Sequence, residues 1–130
     1  MILDTNFYIN FCLYPDEKLF GIIKDNKLLA PEYLKMEVIN ILRKLYFFQG
    51  IPRTKIDEYE TIIFDLIAEF VPDRLLLDSA KRFSFDLNHP IYDCIFLALA
   101  KETNNTFCSF DQKLIKKAES IGIRTINLKN

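Results

Sequence analysis

Apolar residues in this chain follow two rhythms. Short blocks such as Met1-Ile2-Leu3, Leu28-Leu29-Ala30, Phe70-Val71 and Thr106-Phe107-Cys108-Ser109-Phe110 are too brief for helices and read as buried strands. Between them, apolar positions recur every three to four residues, the period of a helix with one face inward. The pattern predicts a strand over residues 1–4, then a helix over 5–14 with Asp4, Thr5 or Asn6 as N-cap. A second helix is expected over 16–26 and a strand over 27–30. Pro31 is expected to open a long helix to about Phe48, because proline suits the first helical position, and Gly50 to stop it. Pro52 starts another helix, to about Ala68; Phe70-Val71 is a minimal strand stopped by Pro72. Helices over about 73–85 and 90–103 follow, then a strand over 105–110, a helix over 111–120 closed by Gly122, and a last strand over 123–128. Such alternation predicts an α/β domain, a parallel sheet with helices on both faces. Ligands of open parallel sheets bind beyond the carboxyl ends of the strands. Asp4 and Asp111 fall at two of those ends.

Four acids break the apolar pattern. Asp4 follows Met1-Ile2-Leu3, and Asp111 ends the run 106–110. Glu37 shares a helical face with Leu34, Ile41 and Leu45, which is the apolar stripe rather than the solvated side. Asp93 stands in the first turn of a helix that is apolar from Ile95 to Ala100, and a helix apolar all round is a buried one. A lone buried carboxylate costs several kcal/mol unless it is paired, protonated or bound to metal. Each acid also has an ordinary explanation. Asp4 and Asp111 could cap the helices that follow them, Asp93 could answer a helix dipole, and Glu37 could reach water at the stripe's edge. The set points instead to one shared site for a hard divalent cation, Mg²⁺ or Mn²⁺, with all four acids as ligands. A cation held this way makes bound water easier to ionise, the chemistry needed to attack a phosphodiester.

Composition narrows the field. The 130 residues match one ordinary domain, residues 1–130, with half of them hydrophobic and 27% charged, so a packed core is expected and disorder is not. Twelve Phe and six Tyr supply much of that core. No apolar stretch nears the roughly 20 residues that span a bilayer, and no basic-then-apolar start marks a secretory signal. Three cysteines without CxxC spacing and a single histidine argue against a disulfide framework or a structural zinc site, and a reducing, cytoplasmic setting fits best. The net charge of −1 does not advertise nucleic-acid binding, but once a cation neutralises the four acids the remainder is net positive. Nucleotide-binding glycine loops and the GxSxG elbow are absent.

The acidic segments resemble a known family. Met1-Ile2-Leu3-Asp4-Thr5-Asn6 resembles the opening of PIN-domain nucleases, including the VapC-type toxins. The stretch from Pro31 through Glu37 to Leu42 resembles their second acidic element, Ile91-Tyr92-Asp93 through Ala100 the third, and Ser109-Phe110-Asp111 through Leu114 the fourth. The resemblance implies a three-layer PIN-like fold whose central parallel sheet has four to five strands flanked by helices. It implies an Mg²⁺- or Mn²⁺-dependent endoribonuclease in which Asp4, Glu37, Asp93 and Asp111 match the acidic positions. Asn6 and Ser109 match the polar positions that orient the cluster or the scissile phosphate. In the toxin branch, homodimers and an antitoxin partner are usual.

Other readings compete. An RNA-processing PIN nuclease without an antitoxin, or a non-catalytic PIN-like binding module, would share the fold. A phosphatase with a nucleophilic Asp would want a second acid two positions on, and here that position is Asn6. Asp86 is an extra acid near the third element, but its setting reads as a helix end and surface turn. Lys113, Lys116, Lys117, Arg43 and Lys44 are candidate phosphate contacts, though most such residues simply line solvated helix faces. Tyr46, Phe47 and Phe48 are either core or a docking patch.

Overall fold

The strand expected at the N-terminus forms as β1 (Ile2–Leu3), and Asp4 ends it by capping α1 (Thr5–Leu13). The structure is a computed structural model and describes residues 1–128. Then come α2 (Glu17–Asp25), β2 (Leu29–Pro31), α3 (Tyr33–Gln49), α4 (Arg53–Leu66) and β3 (Glu69–Val71). A single 3₁₀ turn (Asp73–Leu75) leads to α5 (Leu77–Leu87), α6 (Ile91–Thr103), β4 (Phe107–Ser109), α7 (Gln112–Ser120) and β5 (Thr125–Asn127). All strands are parallel, in the order β3-β2-β1-β4-β5. The domain is therefore the three-layer α/β arrangement of the sequence expectation, with five strands.

That order decides where a site can form. From β1 the chain steps outward through β2 to β3, then returns across the sheet to β4 on the other side of β1. Right-handed crossovers put α1–α4 on one face and α5–α7 on the other, and the packing agrees: α1 touches α3 and α4, and α5 packs on α6. The turning point lies between β1 and β4, whose carboxyl ends open a crevice. Asp4 and Asp111 flank it. The core beneath is closed by Ile2, Leu3, Phe107 and Cys108 of the central strands and by every residue of α6 from Cys94 to Ala100. That helix is buried nearly all round, as its composition requires.

Two local expectations are corrected. Pro31 does not open a helix; it is the last residue of β2, paired with Val71. Leu29 N–H donates to Met1 O, and Pro31, with no N–H of its own, ends the ladder to β1 there. The next amide, Glu32 N–H, donates to Val71 O, and the helix starts at Tyr33. The helix expected from Asp73 is split: Asp73 spends its carboxylate accepting the Tyr33 N–H across 3.0 Å, its segment closes as a 3₁₀ turn, and α5 begins four residues later. Gly50 does end α3, at φ +70°, a left-handed conformation that glycine adopts freely.

Candidate functional site

Asp4 is the hub of the crevice. Its Oδ1 accepts the Phe7 N–H (3.2 Å), the N-cap bond of α1, and its Oδ2 accepts the Ser109 hydroxyl (2.5 Å). The residue is only 8% exposed. Burial pushes its pKa up from 3.8 to about 6; the Ser109 and Phe7 hydrogen bonds oppose the rise, and the negative charges of Asp93 and Asp111 add to it. Ser109, with no exposed surface, also accepts the Asp111 N–H (2.9 Å), so one hydroxyl ties the end of β1 to the end of β4.

The other acids arrive from three helices. Asp111 caps α7, its Oδ1 accepting the amides of Lys113 (3.0 Å) and Leu114 (3.1 Å). Glu37, half-buried on α3, accepts the Thr5 hydroxyl at 2.6 Å. Burial raises its pKa, the Thr5 bond lowers it, and Asp93 raises it further. Asp93, in the first turn of α6, accepts from His89 Nε2 at 2.7 Å. The other ring nitrogen, Nδ1, stands 2.9 Å from Lys117 Nζ. An ammonium only donates, so Nδ1 is the acceptor and the imidazole is in its Nε2–H form.

Asp4, Glu37, Asp93 and Asp111 line one cavity of about 50 Å³ together with Thr5 and Asn6, over a floor of Ile41, Phe96 and Leu114. Acids over a hundred residues apart in the chain are thus brought together. They ring the space rather than converge on one point: among the described residues, no three acidic, histidine or cysteine side chains stand close enough to hold an ion without moving. The donor set is nevertheless the oxygen-only kind that hard divalent cations take. The upward shifts of Asp4 and Glu37, each increased by neighbouring acids, mark a concentration of negative charge that a cation would relieve.

Of the two polar positions singled out in the sequence, Asn6 is exposed at the cavity rim and Ser109 is sealed beneath the acids. Ser109 can orient carboxylates but cannot touch a substrate. Asp86 is exposed on α5 and lines no part of the cavity. Lys113, Lys116, Arg43 and Lys44 are exposed, whereas Lys117 is engaged with His89. Two further side chains hold the acids: Thr5 bonds Glu37 and His89 bonds Asp93. From the sequence Thr5 is only a candidate cap; its seat against Glu37 depends on a contact between α1 and α3. His89 stands four residues before Asp93 across the start of α6, a spacing that makes this contact legible in the sequence.

Comparisons with known proteins bear on the fold that carries these residues. The family model described as PIN domain matches residues 1–120. No curated protein matches the chain by sequence. Among solved structures, PAE2754 from Pyrobaculum aerophilum superposes with a TM-score of 0.73 at 14% identity, over 95% of this chain and 88% of that one. VapBC2 from Rickettsia felis, bound to a DNA fragment from their promoter, gives 0.69 at 13% identity over 98% of both chains. FitAcB from Neisseria gonorrhoeae gives 0.60 at 17% identity over 97% and 96%. At these identities the likeness shows the shared fold. PIN domains are in general nucleases, hydrolases that work with divalent metal ions. Since the matched segment takes in all four acids and every strand but the last, this chain belongs to the PIN domain family.

Proposed function

We propose that this protein is an Mg²⁺- or Mn²⁺-dependent endoribonuclease that hydrolyses RNA phosphodiester bonds, and that it is the toxin of a toxin–antitoxin pair. The observation that carries the nuclease reading is the meeting of Asp4, Glu37, Asp93 and Asp111 around one cavity at the turning point of the sheet. The toxin reading rests on the resemblance to VapC-type proteins and on the likeness to VapBC2 and FitAcB. Homodimers and a cytoplasmic setting go with it.

Asp4, Asp93 and Asp111 would hold the ion, with Glu37 completing the set. A bound divalent cation supplies positive charge against the phosphate and lowers the pKa of a water molecule. The chain's own residues do the rest. Glu37, its carboxylate steadied by Thr5, accepts the proton of the attacking water. Ser109 fixes Asp4 against Asp111, and His89 fixes Asp93. Asn6, exposed at the rim, offers its amide to a phosphate oxygen.

The test is cleavage of labelled RNA by purified protein. Cleavage should require Mg²⁺ or Mn²⁺, stop with chelator, and fall at least about 100-fold in Asp4→Asn and in Asp93→Asn while circular dichroism is unchanged. Activity surviving in both variants would mean a contaminant or a site elsewhere. The toxin half is read separately: the product of a neighbouring reading frame, coexpressed, should copurify and suppress cleavage.

A further inference from the structure

Beside the carboxylate cavity stands an aromatic pair that the chemistry above does not use. Tyr33, the first residue of α3, lies one turn before Glu37; Tyr92, in the first turn of α6, immediately precedes Asp93. Their rings are stacked, with centroids 5.5 Å apart and planes 23° from parallel. Tyr92 is 59% exposed. Tyr33 shares a helical face with Glu37, four residues on, and Tyr92 is bonded in sequence to Asp93, so the pair adjoins two of the cavity acids. Tyr33 is anchored against the core, whereas Tyr92, stacked on it, keeps most of its surface in solvent, which core packing does not explain.

We propose that the Tyr33–Tyr92 stack is the platform on which an unpaired base of single-stranded RNA lies while the adjoining phosphodiester enters the carboxylate cavity. This rests on the nuclease reading and deepens it by naming the substrate's conformation. Three features support it. A tyrosine ring fixed by stacking on another has little freedom left to lose when a base covers it. A base within a duplex has both faces occupied, so only a splayed or single-stranded nucleotide can use such a surface. Tyr92 is more than half exposed, so the outer side of the stack is open to a base arriving from solvent. Because every base has a π face, the platform confers preference for unpaired RNA rather than for one base.

The alternative is a purely structural contact between the starts of α3 and α6. Steady-state kinetics on an unpaired oligoribonucleotide and on its duplex, in Mn²⁺, separate the two. Wild type should cleave the single strand and leave the duplex nearly intact. Tyr92→Leu should raise KM by ~10-fold or more with kcat little changed, and Tyr92→Phe and Tyr92→Trp should restore KM. An abasic nucleotide beside the cut should impose a similar KM loss on wild type and none further on Tyr92→Leu. Equal KM for the Leu and Phe variants, or equal cleavage of duplex, would overturn the platform while leaving the nuclease reading intact. No cleavage of any RNA by wild type would remove both.

Discussion

Asp4 concentrates the conflict between folding and function in one side chain. It caps α1, accepts the Ser109 hydroxyl, and is almost wholly buried next to other acids. The folded chain holds its proton up to about pH 6, whereas an unfolded aspartate releases it near 3.8. Between those values the folded state binds more protons than the unfolded one, so stability falls as pH rises. The loss is complete above about pH 6 and is on the order of 1–3 kcal/mol. In chelator, urea denaturation of wild type at pH 4.5 and at pH 7 should show that decline. Asp4→Asn keeps a side-chain oxygen for the cap and has no proton to lose, so it should show a smaller one. A variant as pH-sensitive as wild type would mean that Asp4 is not the titrating group.

The elements that read clearly from sequence are those whose local preference and tertiary role coincide. Helix α6 is apolar from Cys94 to Ala100 and is buried over the same span. Gly50 stops α3 where a left-handed residue was needed. Misread elements are those decided by a distant partner. Pro31 has the local look of a helix start, but its pairing with Val71 makes it the end of β2. Asp73 looks like a helix opener, but its carboxylate goes to the amide of Tyr33, forty residues away. The site divides the same way: four acids stand out as charges set in apolar runs, while Thr5 and His89 matter through what they touch. Ser109 is the junction where this becomes testable. Its hydroxyl joins β1, β4 and α7 by donating to Asp4 and accepting from Asp111 N–H. Ser109→Ala strands the buried Asp4 carboxylate oxygen and frees the part-buried Asp111 amide, and should cost about 1–3 kcal/mol in chemical denaturation. It should also weaken metal binding measured by calorimetry, since Asp4 loses a bond that favours its charged form. Ser109→Ala with wild-type stability and metal affinity would show that the bond is dispensable.

At the scale of the molecule, the site exists only because the sheet turns back on itself. Asp4 and Asp111 are brought side by side by the adjacency of β1 and β4, and Glu37 and Asp93 reach them from opposite faces of the sheet. Unfolded, the four carboxylates are scattered along more than a hundred residues and offer a cation no joint site. A metal that binds there therefore binds the folded chain alone, and mass action makes it a stabiliser. At a free concentration 100-fold above its dissociation constant it contributes about 2.7 kcal/mol, which is several degrees in Tm for a domain of this length. Thermal melts with increasing Mn²⁺ or Mg²⁺ at pH 7 should rise in Tm accordingly, while potassium at matched ionic strength should not. Asp4→Asn and Asp93→Asn should melt with little metal response. Asp86→Asn, an acid exposed on α5 outside the cavity, should respond like wild type and so control for general charge effects. The experiment needs no knowledge of the RNA and tests the common ion directly. If Asp4→Asn gains as much from Mn²⁺ as wild type does, the four acids do not share a cation, and the chemistry assigned to them falls with it.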